Sequence, residues 1–155
     1  MDINKSTLEA LIREIVEERL KKGDVDPLSY SKHILPEGVA LVNVPRIQVS
    51  GQDRMDTGDN RDIVYTKDLF SLAESPRLGC GIMEMTDTTF DWTLNYDEVD
   101  YVIEGCLKII INEKTVEAKA GEVILIPKGS KIQFSVEGHA RFIYVTYPAD
   151  WAKQG

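Results

Sequence analysis

From Val39 onward the chain is a succession of short runs rich in β-branched and aromatic residues: VALVNV, RIQVS, DIVYT, GCGIMEM, EVDYVIEG, LKIIIN, KTVEAK, EVILIP, KIQFSVEG and ARFIYVTY. No helical pattern of similar strength interrupts them. Gly, Pro, Asn and Asp punctuate the runs at 112–114, 120–122, 127–130 and 137–139, which are turn residues between strands. About ten antiparallel strands at such spacing dispose of their edges only by closing into a barrel or stacking as a sandwich. The expected fold is all-β over 39–155.

The first 23 residues read differently. Leu8, Leu11, Ile12, Ile15, Val16 and Leu20 recur at helical spacing and make one apolar stripe. Ser6 with Glu9 is a capping box, and Lys21, Lys22 and Gly23 are a C-terminal stop. An amphipathic α-helix is expected over 1–23. A lone helix of this length is marginal in water, so its stripe requires the body of the protein or a partner. Residues 24–38 hold Pro27, Pro36 and no sustained periodicity, and read as a linker or extended arm.

A chain of 155 residues buries roughly 68–70% of the surface its unfolded form exposes, enough for a core without metal or disulfide staples. Cys80 and Cys106 lack metal-ligand spacing and read as small core residues of a reducing compartment, with a thiol nucleophile as the other reading. Against 18 basic side chains stand 26 acidic ones, a net charge of -8. That balance repels phosphate backbones and anionic lipid, so neither nucleic acid nor membrane is an expected partner. With no apolar stretch long enough for a span and no signal-peptide pattern, a cytoplasmic protein is expected.

The most informative stretch runs from Phe90 to Val136. Glu98 precedes Gly105, and after a strand and turn Gly121 precedes Pro127 and Gly129. This arrangement resembles the two signature motifs of the cupin superfamily, which implies a cupin-type jelly-roll barrel. In that frame the first two metal-binding histidines would fall at Asp91 and Thr93 or at Trp92 and Leu94, the third at Ile132, and the closing asparagine at Val136. Only Glu98 remains of the usual ligands, and one carboxylate does not hold a transition metal against water. No tightly bound transition metal is expected. His33 and His139 lie outside both motifs.

The cupin frame turns Glu98 inward, and a strand period of two adds Asp100 and Val102 to that face, with Val99, Tyr101 and Ile103 on the other. Two acids on one pocket wall raise at least one pKa and suit general acid or base work. Glu98 and Asp100 are therefore the candidate catalytic residues. The bland alternative has Glu98 bonded to a neighbouring tyrosine and Asp100 in solvent. Trp92, Tyr96, Tyr101 and Lys128 are candidate pocket-lining residues, although aromatic side chains of small barrels more often pack. The acidic segment GQDRMDTGDNRD, 51–62, reads as a solvated loop. Its acids are spaced unlike a calcium loop, and no apolar strand leads into its DTG as an aspartic protease requires.

Taken together, TFDWTLNYDEVDYVIEG and GEVILIPKGSKIQF resemble the EutQ family of ethanolamine utilisation proteins, cupins without the histidine triad. The resemblance implies a role in ethanolamine breakdown in a bacterial microcompartment and an acetate kinase activity, with Mg²⁺ and ATP as its requirements. The stripe of LEALIREIVEERL is similar to helices that dock cargo onto shell proteins or onto one another, and cupins commonly pair as homodimers. Phosphoryl transfer needs a triphosphate cradle and positive charge, and no phosphate-loop motif occurs here. Lys128, Lys131 and Arg77 are the cations conceivable near a pocket mouth. Two further readings stay open: a non-catalytic cupin module that organises shell or cargo proteins and binds a small metabolite, and an epimerase or isomerase of small polar substrates.

Overall fold

The computed structural model describes residues 31–153. The helix expected over 1–23, with its stripe Leu8, Leu11, Ile12, Ile15, Val16 and Leu20, lies outside the described residues. Two compact units divide at Ile47 and Gln48. In the first, β1 (Lys32–Ile34) pairs antiparallel with β2 (Ala40–Val42). The connecting turn is closed by Gly38 N–H donating to the Leu35 carbonyl at 2.9 Å, with Pro36 in the position that its fixed φ favours. Part of the expected linker is thus a hairpin, and VALVNV, read as the first barrel strand, pairs locally instead. RIQVS forms no strand: Val44–Arg46 is a single 3₁₀ turn.

The second unit carries β3 (Ile63–Asp68), β4 (Gly79–Thr93), β5 (Asp97–Glu104), β6 (Cys106–Ile111), β7 (Lys114–Lys119), β8 (Val123–Ile126) and β9 (Lys131–Tyr147). Strand order is β3-β4-β9-β5-β8, with β6 pairing both β9 and β7, and all pairings are antiparallel. Strands β4 and β9 are long enough to belong to both halves of this sheet. Gly79–Thr86 and Ala140–Tyr147 sit among β3, β5 and β8, whereas Thr88–Thr93 and Lys131–Val136 sit beside β6.

The halves meet at a bulge. The register of β4 against β9 shifts between Thr86 and Thr88, where Gly138 N–H donates to Asp87 Oδ1 at 2.7 Å and both residues have positive φ. A bulge bends and twists its strands, so KIQFSVEG and ARFIYVTY, expected as two strands with a turn at 137–139, form one bent strand. The bend lets both halves close over one core. Val64, Met85, Val102 and Phe142 from one half share a buried cluster with Phe90, Leu107, Ile109 and Phe134 from the other. Each such side chain contributes about 1.5–3 kcal/mol on burial. Among the described residues no helix is long and apolar enough to cross a membrane.

Candidate functional site: a buried acid pair beneath an aromatic layer

Strand β5 alternates strictly. Glu98, Asp100 and Val102 are buried and Asp97, Val99 and Tyr101 exposed, as its period of two requires. Glu98 is 4% exposed and Asp100 0%, so the reading that put Asp100 in solvent is overturned. Across the sheet Glu98 lies between Thr146 on β9 and Ile126 on β8, and Asp100 between Tyr144 and Ile124. The Tyr144 hydroxyl donates to Asp68 Oδ1 at 2.7 Å. Gly81, facing Tyr144 on β4, leaves room for that phenol, since a Cβ there would run into its hydroxyl.

Among the described residues, Glu98 Oε1, both Asp100 carboxyl oxygens and Thr146 Oγ1 are buried without a hydrogen-bond partner. Buried polar atoms in folded proteins nearly always have one, and an isolated buried charge is costly. Burial makes both acids keep their protons to higher pH than ordinary carboxyls do. Burial pushes the Glu98 carboxyl up from 4.5 to about 7, against the weaker opposing influence of Asp100 and Tyr96 beside it. Burial, and next the charge of Glu98, lift the Asp100 carboxyl well above the usual carboxylate range. No lysine, arginine or histidine figures among the groups that shift either acid. Burial and then the Glu98 charge also raise the Tyr96 phenol.

Above the acids lies an aromatic layer. Trp92 Nε1 donates to the Tyr96 hydroxyl at 2.8 Å. Trp151, from the 3₁₀ turn Trp151–Lys153, places its ring centroid 6.3 Å from Trp92, 6.0 Å from Tyr96 and 6.1 Å from Tyr144. Beneath this layer a small void, about 10 Å³, is bordered by Met83, Trp92, Tyr96, Glu98, Tyr144 and Trp151. Outside it opens a cleft of about 950 Å³, lined on its polar side by Asp56, Asp91, Asn95, Glu113, Lys131 and Gln133. Trp92, Tyr96, Trp151 and Met55 border both spaces.

The structure therefore brings Trp92 and Tyr96 together with Glu98 and corrects two other expectations. Tyr101 is 43% exposed on the outer face of β5 and lines neither space, because its odd register opposes that of Glu98. Lys128 stays in the exposed turn before β9, where its backbone N–H donates to Asp97 Oδ1 at 2.9 Å. The cation of the cleft is Lys131, the first residue of β9. Sequence reasoning missed Met55, Thr146, Tyr144 and Trp151. Thr146 follows only from the β5–β9 register, and Trp151 lies beyond the last strand, where no periodicity marks it. The acidic loop is built rather than merely solvated. The Arg54 guanidinium donates to the carbonyls of Asn60 and Asp62, each at 2.7 Å, and Thr57 Oγ1 donates to Asp62 Oδ2 at 2.7 Å, which sets Met55 and Asp56 at the cleft rim.

Among the described residues no group of three His, Cys, Asp or Glu side chains converges as a metal cage. A Mg²⁺ carried by a nucleotide is a lighter demand, since one or two carboxylates plus phosphate oxygens and waters suffice. Asp91 fits that demand: it faces the cleft and accepts from Gln133 Nε2 at 3.0 Å, which fixes its carboxylate.

A model of the family described as ethanolamine utilisation protein EutQ matches residues 3–153. A protein of Clostridioides difficile (strain 630) named acetate kinase EutQ is 58% identical over 153 residues, 99% of this chain and 97% of its own length. One of the same name from Salmonella typhimurium (strain LT2) is 34% identical over 149 residues, 92% of this chain and 63% of that longer protein. Among solved structures, the Clostridium difficile EutQ protein superposes with a TM-score of 0.79 at 64% identity, covering 80% of this chain and 90% of that one. The fold alone is shared with the cupin domain of Schizosaccharomyces pombe Cnp3, at a TM-score of 0.53 and 16% identity over 71% of this chain and 77% of that one.

Proposed function

The chain belongs to the EutQ family of ethanolamine utilisation proteins, and from that premise we propose that it is an acetate kinase working in the outer cleft. The observation that carries this reading is the 58% identity, over 99% of the chain, to a protein named for that activity. Acetate is a carboxylate, ionised at neutral pH like the side chains of Asp and Glu with ordinary values of about 4, so its oxygen attacks the γ-phosphorus of ATP with no proton to remove. A bond forms between acetate oxygen and phosphorus, and the bond to the ADP oxygen breaks. Such a reaction needs positioning and charge neutralisation rather than a general base. Lys131 would supply positive charge to phosphate oxygens, Asp91 and Asp56 would hold the Mg²⁺ that accompanies the nucleotide, and Trp92 and Trp151, which border the cleft, would offer aromatic surface for the base. In this reading Glu98 and Asp100 lie one layer below the reacting atoms.

Acetyl phosphate formation, measured as the hydroxamate with ATP, Mg²⁺ and acetate, tests the reading. Activity that falls in Asp91→Asn and survives in Glu98→Gln assigns the reaction to the outer cleft. Equal loss in Glu98→Gln and Asp100→Asn moves it to the acid pair. A wild-type chain that forms no acetyl phosphate favours the non-catalytic metabolite-binding module.

The wider setting belongs to the same proposal. The stripe Leu8 to Leu20 docks on microcompartment shell or cargo proteins, and deletion of 1–23 abolishes their co-purification if that is right. A homodimer through the outer sheet face is favoured by Val99, Tyr101, Val123, Leu125 and Tyr147, which are exposed there beside the edge strand β8. Light scattering of the full chain decides between one copy and two.

A further inference from the structure

A transfer to acetate leaves the acid pair without work, yet Glu98, which borders the small void, keeps its Oε1 buried there without a hydrogen-bond partner. The void that Glu98 borders has room for one group about the size of a water. Anions are disfavoured, because the lining adds the Glu98 carboxyl and no cation among the described residues. An apolar group would leave the buried Glu98 Oε1 as orphaned as before. A hard metal ion wants six or more oxygens, and most of the wall is ring and thioether: Met55, Met83, Trp92, Phe134 and Trp151. An ammonium head meets every condition. It donates to carboxylate and phenol oxygens, it is attracted by the electron-rich faces of aromatic rings, and it is close to water in size.

We infer that the void beneath Trp92, Tyr96 and Trp151 is a recognition site for the ammonium head of a small amine, with Glu98 as its carboxylate partner and the body of the amine lying in the outer cleft. The two spaces share Met55, Trp92, Tyr96 and Trp151, so these are the side chains that would part for a short carbon chain to reach from one to the other. The ligand class is a small organic ammonium ion, distinct from both acetate and ATP, and the site does not depend on the phosphoryl transfer proposed above.

The chain holds two tryptophans, Trp92 and Trp151, and both border the void, so intrinsic fluorescence of the full-length protein reports occupancy directly. Titration with ethanolamine hydrochloride at constant ionic strength is expected to change that fluorescence saturably. Ethylene glycol, the neutral counterpart, and sodium acetate are expected to leave it unchanged. Glu98→Gln keeps the shape of the side chain and removes the charge, so the amine should bind it at least about tenfold more weakly, the loss of one charge-assisted contact. Trp151→Leu, read by calorimetry, should weaken binding as well and guards against a Glu98 variant that fails to fold. No saturable response to the amine would mean that the void holds an ordered water only. Equal binding of ethylene glycol, or unchanged affinity in Glu98→Gln, would also overturn the inference.

Discussion

The indole N–H of Trp92 donates to the Tyr96 hydroxyl at 2.8 Å, and this bond joins the end of β4 to the start of β5 directly over Glu98. The turn between them is clasped to the next one: Leu94 N–H donates to the Ser130 carbonyl at 2.9 Å, and Gly129 N–H to the Leu94 carbonyl at 2.7 Å. The layer that separates the acids from the cleft is therefore held by backbone bonds at its root and one side-chain bond at its tip. Tyr96→Phe removes the acceptor and leaves the indole N–H unpaired in a part-buried place. The expected cost is about 1 kcal/mol, which for a chain of this length lowers the melting temperature by about 2–4 °C. A calorimetric scan checks it. An unchanged transition would show that the bond is idle.

The acid pair gives stability an unusual pH dependence. Glu98 titrates at about 7 in the folded chain against 4.5 as its ordinary value, so between those values the folded state binds more protons than the unfolded one. Stability from this group is then highest below about 4.5 and falls as pH rises through 7. A shift of that size corresponds to about 3 kcal/mol. The groups facing it, Asp100, Tyr96 and Tyr144 with its partner Asp68, include no cation to reverse the sign. Urea midpoints for wild type and Glu98→Gln should agree at pH 4.5 and diverge by pH 8, with the variant the more stable. A constant difference at both values rejects the assignment.

Much of this centre was legible from strand alternation alone. Glu98, Asp100 and Val102 share a face because neighbouring residues of a strand point apart, a local rule that needs no knowledge of the partner strands. The same rule, applied consistently, places Tyr101 outside. What was not legible depended on distant partners. Gly138 reads as a turn until Asp87, 51 residues earlier, is seen accepting its N–H. Whether Lys128 or Lys131 reaches the cleft is decided by where β9 begins, two residues after an ordinary-looking Pro-Lys-Gly turn. Trp151 follows the barrel, and only the tertiary structure folds it back over Tyr144.

Two glycines of the cupin signature separate conformational strain from crowding. Gly105 and Gly121 have φ of +78° and +90°, but a Cβ on Gly105 would also run into the His139 carbonyl and Ala140 Cα, whereas nothing lies within 4 Å of one on Gly121. Gly121→Ala should cost about 1–2 kcal/mol, the ordinary cost of a left-handed L-residue. Gly105→Ala should cost clearly more, because the obstacle is backbone and the strand cannot step aside. Denaturant midpoints of both variants rank them, and the reverse order would contradict the close approach of β5 to β9 seen here.

Nucleotide binding offers the sharpest contrast between neighbouring residues. Lys131 opens β9, pairs across the sheet with Thr93 and lines the cleft together with Asp91, whose partner on β9 is Gln133, while Lys128 sits in the preceding turn with its backbone tied to Asp97. If the triphosphate lies in this cleft, Lys131→Ala removes one charge-assisted contact to a phosphate oxygen, worth about 1.5 kcal/mol, and should raise the KM for ATP roughly tenfold. The KM for acetate should change less, because acetate carries a single charge where the triphosphate carries several. Lys128→Ala should leave both constants within about twofold, as an exposed charge contributes little through solvent. Steady-state kinetics of the two variants, at matched ionic strength, decide the matter. A larger effect from Lys128 would move the nucleotide out of the cleft and toward the turn that precedes β9.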